Sequence, residues 1–161
     1  MIKTLTTFAA LFAVIGAAHA APLTERNLSM VDAQKLAIDT VASCTAKGYN
    51  VGVSVVDRAG VLKAFARTDN AGPHTVEASR AKAFTSLSAK APTLAMMENA
   101  QKNAGAANLT DIPGFLLLGG GVPVKLGDEV IGAIGVAGAP GGHLDGQCAI
   151  AAIEANADLF K

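Results

Sequence analysis

The sequence predicts an α+β fold, a single antiparallel sheet of about five strands flanked by helices. Three observations predict it. The order of patterns along the chain is helix, two strands, a helical region, strands and a closing helix. The strand pairs are joined by short turn-forming links, Asp57–Gly60 and Gly127-Asp128, which favour hairpins and so antiparallel pairing. Leu62 and Phe65 fall on opposite faces of one strand, so both faces of the sheet carry apolar load, as helices on both sides require.

The first 20 residues stand apart from that fold. Lys3 gives a positive start, Phe8–Ala18 is apolar and small, and Ala18-His19-Ala20 has the form of a cleavage site. The expectation is a secretory signal peptide over 1–20, cut after Ala20 and too short for a membrane span. Residues 21–161 then form one domain of 161 − 20 = 141 residues, long enough for a core of its own. No later stretch is apolar enough to anchor it, so the chain reads as exported, periplasmic or secreted.

Removing Lys3 leaves 13 − 1 = 12 basic against 13 acidic side chains, a formal charge of −1. With no basic patch, nucleic acid is not an expected partner. Low charge and abundant Ala, Val, Leu and Gly favour burial of further surface in a homo-oligomer. Cys44 and Cys148 fall on predicted helices near opposite ends of the domain. In an exported chain such a pair suggests a disulfide, with two buried free thiols as the alternative.

Ser29 is placed to cap a first helix, with Asp32 at its third position and Gly48 as its stop. Met30, Ala33, Ala37, Val41 and Cys44 mark its apolar face. Val51–Asp57 and Val61–Arg67 follow as strands. Thr68–Pro73 is a loop by composition. A helix from His74 or Thr75 to Lys90 would turn Val76, Arg80, Ala83, Phe84, Leu87 and Ala91 inward. Pro92 ends it or opens a short helix carrying Leu94, Met96 and Met97. Gln101–Thr110 reads as a loop, and Phe115–Leu118 as a short buried strand or an extended segment. Asp145–Phe160 closes the chain as a helix, with Ile150, Ile153, Ala157 and Phe160 as its apolar positions.

The most patterned stretch is Gly119–Pro140. Val122, Val124 and Leu126 precede the Gly127-Asp128 turn, and Val130, Ile134 and Val136 follow it, which places a hairpin at the centre of the sheet. Gly132, Gly135 and Gly138 recur every third residue and so alternate faces. Bare backbone on both faces calls for close packing by a helix, a partner chain or a flat ligand.

Few residues carry chemistry. There is no nucleophile elbow, phosphate-binding loop or zinc-type Cys/His spacing. Asp57, Asp69, Glu77 and Asp111 are single carboxylates, which more often serve turns and caps. His74 follows Gly72-Pro73 at a helix start, where an imidazole either caps the helix or, borne on a loop, ligates haem iron. His143 follows Gly141-Gly142 at another helix start. Met96 and Met97 are candidate soft ligands, though a helical Met pair is more often core.

The segments VSVVDRAGVLKAFARTDNAGPHTVEASRAKAFTS (53–86), GGGVPVKLGDEVIGAIGVAGAPGG (119–142) and DGQCA (145–149) resemble the GlcG/HbpS group of haem-binding proteins, which shares its domain with the C-terminal part of PduO-type proteins. The resemblance implies α-β-α layers of the profilin/roadblock kind, homo-oligomers, and haem as cofactor, with a corrinoid as the lesser candidate. It implies no single activity. This chain departs from the pattern at His143, where the family's acidic residue is replaced, which adds a second candidate ligand.

The expected function is therefore an exported haem-binding protein that binds, stores or helps to sense haem. His74 is its expected metal ligand, with Gly120, Gly121, Pro123 and His143 around the cofactor. Two alternatives stand beside it. One is an enzyme acting on haem or a small organic acid through Asp57, Glu77 or Arg80. The other is an oligomeric scaffold or sensor accessory in which the glycine hairpin forms the subunit interface and no cofactor binds.

Overall fold

The computed structural model describes residues 21–161; the expected signal peptide lies outside the described residues. Helix α1 spans Met30–Thr45, strand β1 Gly52–Asp57 and β2 Leu62–Arg67. Helices α2 (Thr75–Ala89) and α3 (Thr93–Lys102) precede β3 (Gly121–Leu126), β4 (Glu129–Ala137) and α4 (Gly142–Ala155). The sheet is antiparallel in the order β2-β1-β4-β3.

Among the described residues there are four strands, not five. The segment before β3 has no regular secondary structure, and backbone groups in it are engaged by helix side chains instead of a neighbouring strand. Leu116 N donates to Thr85 Oγ1 (2.8 Å), and Thr93 Oγ1 donates to Leu118 O (2.6 Å). The hairpin is also off-centre: β4 is an inner strand, whereas β3 is an edge. The segment expected as a loop at Gln101–Thr110 begins as the end of α3 and continues as a 3-10 helix, Ala104–Asp111, started by Asn103, whose side chain accepts from Gly105 N. Helix α4 stops short of the expected Phe160 because Asn156 turns its amide back to Ala152 O (2.8 Å) and onto Asp39 (2.7 Å); a short 3-10 turn finishes the chain.

Two layers of helix cover the sheet. Ala33, Leu36, Ala37 and Cys44 of α1 and Cys148 and Ala149 of α4 pack on Val53, Val55, Ile134 and Val136, forming the main core. On the other face, Ala83 and Leu87 of α2 pack on Val56, Val130 and Ala133. The Ser29 cap is as expected, its Oγ accepting from Asp32 N at 3.1 Å. A disulfide joins Cys44 to Cys148, tying α1 to α4.

The inner face of α2 differs from the expected one. Val76 and Arg80 are exposed, while Thr75, Ser79, Lys82, Thr85 and Ser86 are buried. The cause lies in the sheet. Ser54, Gly135 and Gly121 are direct neighbours across β1, β4 and β3, a row with almost no side chain. A Cβ added at Gly135 would sit 1.9 Å from Ser79 O, and one at Gly121 2.4 Å from Lys82 O. The helix backbone thus rests on the sheet itself, so small polar residues, not large apolar ones, fill the contact. Ser54 and Ser79 satisfy each other across it, their hydroxyls 2.8 Å apart. Of the three occupants that bare glycine backbone allows, a helix of the same chain is the one found at Gly135.

Candidate functional site

A cleft opens where the N-terminal ends of α2 and α4 approach each other. Its volume is about 350 Å³, within the roughly 300–1,000 Å³ of small-ligand sites. His74 and His143 both line it. Leu94 and Met97 of α3, Leu118 before β3, and the Ala137–Gly142 rim between β4 and α4 supply its walls, and Lys82 and Asp145 are the charged residues of its lining.

The two histidines are built alike. Each stands two residues after a glycine, at the start of a helix. A methyl group at Gly72 would lie 2.8 Å from Nδ1 and Cε1 of His74 but 4.0 Å from Nε2; at Gly141 the distances to His143 are 3.0, 2.8 and 3.9 Å. In both, the Nδ1–Cε1 edge folds over bare glycine backbone and Nε2 is the nitrogen held farther off. His74 does not cap α2: its backbone is helical and its imidazole makes no capping bond. Both residues are exposed.

Lys82 and Asp145 were not singled out by sequence. Lys82 Nζ donates to Asp145 Oδ2 (2.9 Å) and to Val136 O (2.9 Å), and Asp145 Oδ1 accepts from Ala139 N (3.0 Å). Their side chains are 6 % and 3 % exposed, so this is an interior ion pair, not a surface one. Burial pushes the Asp145 carboxyl above its ordinary range, while the Lys82 ammonium, the Ala139 amide and His143 pull it down. Apolar periodicity cannot find such a pair, because it scores Lys82 as a solvent-facing residue and the partners are far apart in the chain. The available signal was Lys82 flanked by two alanines, Ala81 and Ala83.

Other expected site residues lie elsewhere. Gly120 and Gly121 are buried behind the cleft against α2, α3 and α4, and Pro123 sits on edge strand β3 opposite Ala133. Asp57 organises its turn, its Oδ1 accepting from Ala59 N and Val61 N. Glu77 and Arg80 form an exposed 3.8 Å pair beside Phe84, in a separate depression of about 270 Å³. Met97 lines the cleft, and Met96 is not among its lining residues. Among the described residues no group of three or more His, Cys, Asp or Glu could hold a bare metal ion.

Comparison with known proteins gives one answer. The chain aligns with a solved double mutant of HbpS from Streptomyces reticuli at 39 % identity and a TM-score of 0.77, covering 92 % of this chain and 98 % of that one. It aligns with a PduOC:heme complex at 25 % identity and a TM-score of 0.73, covering 80 % and 94 %. GlcG of Escherichia coli K12 is 35 % identical over 88 residues, 55 % of this chain and 64 % of GlcG, so the chain spans a little under two thirds of that relative. Residues 28–154 match the model of a family described as "Haem degrading protein HbpS-like", and the chain belongs to that HbpS-like family.

Proposed function

We propose that this chain is an exported haem-binding protein that holds haem in the cleft between α2 and α4, with His74 as the axial ligand and His143 as the second candidate. The observation that carries the reading is that these two histidines, distant in sequence, line one cleft, each with Nε2 as the ring nitrogen farther from its glycine. The residues suit the group. A bare ion would need a chelating set that the described residues lack, whereas iron that arrives in its own macrocycle needs one or two imidazoles and apolar walls. When bound, haem would supply iron-centred ligand or redox chemistry. The chain would supply the imidazole, the Leu94, Met97 and Leu118 walls, and shielding from water. The solved haem complex of a relative supports haem as the ligand.

Hemin titration followed by absorbance tests it. Wild type is expected to bind saturably with a sharp Soret band, and His74→Ala to lose affinity and shift that band. An unchanged spectrum and affinity in His74→Ala removes His74 from the role, and His143→Ala then takes its place. No saturable binding by wild type refutes the reading.

The family's description also favours a second reading, breakdown of bound haem. It predicts that a reductant converts bound haem to a defined bilin even when catalase removes free peroxide. Bleaching that catalase abolishes would be non-enzymatic coupled oxidation.

Export is supported by the 1–20 sequence pattern and by the Cys44–Cys148 disulfide, a bond of oxidising compartments. A periplasmic form beginning at Ala21 is the expected product, and a cytosolic form retaining Met1 would refute it. Exposed Met30, Val31, Ile38 and Phe65 around α1 and β2 support self-association. Light scattering at the monomer mass would refute that part.

A further inference from the structure

We propose that the buried Lys82–Asp145 pair is the positioning device of the cleft, fixing the Ala139–Gly142 rim and holding the two histidine-bearing helix ends in one geometry. This rests on the haem-binding reading for its ligand, but not for its mechanics.

Three elements and the rim meet at this pair. Lys82 belongs to α2, the helix that follows His74. Its ammonium reaches the end of β4 at Val136 O and crosses to Asp145 on α4. Asp145 lies one turn into α4, two residues after His143, and its other oxygen accepts from Ala139 N, the start of the rim. The pair therefore defines where α2, α4 and the rim stand relative to the sheet edge that the cleft opens on.

The backing of the pair is equally constrained. Gly120 has φ +120°, and a Cβ there would lie 2.5 Å from Val136 O, 2.9 Å from Asp145 Cβ and 3.0 Å from Lys82 Nζ. Gly120 O in turn accepts from Val136 N (2.9 Å). The glycine is thus what lets β3, β4 and the ion pair close on one another.

Stability alone is a weak reason for such a pair. Desolvating two charges offsets most of their attraction, and apolar replacement of both is often neutral or better. What apolar side chains cannot do is accept the Ala139 amide and the directed Lys82 bonds. Partners that orient a metal ligand from behind commonly change ligand affinity when removed, by roughly 10–100-fold.

Two double variants separate positioning from packing. Lys82→Met/Asp145→Leu removes both charges and the acceptor for Ala139. Lys82→Gln/Asp145→Asn removes both charges but keeps an N–H donor on α2 and an oxygen in place for that amide. In the unliganded proteins, hydrogen exchange at Ala139 is expected to accelerate about tenfold or more in the Leu variant and to stay protected in the Asn variant. Hemin affinity is expected to fall at least ~10-fold in the Leu variant, with an altered Soret band and a melting temperature close to wild type, and to recover in the Asn variant. Wild-type affinity and spectrum in the Leu variant overturn the proposal. So does a loss of that size in the Asn variant with Ala139 still protected, because charge and not position would then matter. If the Leu variant does not fold, the Asn variant decides by the same criterion. If wild type itself fails to bind hemin, the haem reading falls; unchanged Ala139 exchange in the Leu variant is then what would overturn the positioning role.

Discussion

Removing the disulfide with Cys44→Ala/Cys148→Ala should cost this domain a large share of its stability. The bridge closes a loop across a sequence separation of 104. Loop-closure entropy for a loop of about 100 residues is worth roughly 4.7 kcal/mol at 25 °C. Domains of this size have only about 5–15 kcal/mol in total, so the bridge is expected to carry a third or more of it. Both cysteines are fully buried between α1 and α4, and alanine fills most of the space each leaves, so the entropic part should dominate. With a urea slope of about 2 kcal/mol per molar, the midpoint should fall by roughly 2 M. Urea melts followed by circular dichroism check this, on the variant and on wild type with and without dithiothreitol. Reduced wild type should approach the variant. Thiol titration of denatured, unreduced wild type should find no free thiol. Two titratable thiols, or a stability loss below about 1 kcal/mol, would refute the reasoning and weaken the case for export.

Three further perturbations probe other parts of the fold. Gly135→Ala puts a methyl group 1.9 Å from Ser79 O, so α2 must lift off the sheet; thermal melts should show a loss of about 3 kcal/mol or more, and a loss under ~1 kcal/mol would mean the helix is not seated there. Asp39 is held below its ordinary carboxyl range first by the Asn156 amide and then by Lys35, with burial opposing. A depressed carboxyl contributes stability that is present above its unfolded value of 3.8 and is lost as pH falls through its lower folded value. The stability gap between wild type and Asp39→Asn should therefore close on acidification, and a pH-independent gap would disprove the link. Thr40 Oγ1 is buried with no hydrogen-bond partner among the described residues, so isosteric Thr40→Val should stabilise by about 1 kcal/mol, read as a higher urea midpoint; a lower midpoint would mean that the hydroxyl has a partner.

Local chemistry was legible in the sequence, and relations across space were not. The Ser29 cap, the Gly127-Asp128 turn and the antiparallel hairpins follow from residue types at fixed offsets, and the structure has each of them. The strand count missed because Thr85 and Thr93 occupy the backbone of 116–118, a tertiary choice with no local signature. The inner face of α2 missed because period counting rewards large apolar residues, while this helix is seated against glycine and so turns Ser79 and Lys82 inward. At the cleft, each histidine was visible as a polar residue after glycine at a helix start. Their convergence on one cavity depends on the packing of α2 and α4, and the Lys82–Asp145 pair depends on it even more.

The glycine signature and the cleft are parts of one construction. Gly135 and Gly121, side by side on β4 and β3, let the backbone of α2 descend onto the sheet at Ser79 and Lys82. That depth is what brings Lys82 Nζ within reach of Val136 O and Asp145. A larger residue at either glycine would raise α2, lengthen those bonds and shift His74, which sits at the same helix's start. Gly120 does the corresponding work on α4 by leaving room for Asp145. The contacts of these glycines are with α2, the Thr93 side chain, Val136 O and the ion pair, so any influence they have on a ligand passes through the placement of the elements around them. Gly120, Gly121 and Gly135 therefore shape the cleft from behind, while Gly119 and Gly138 of the same stretch line it.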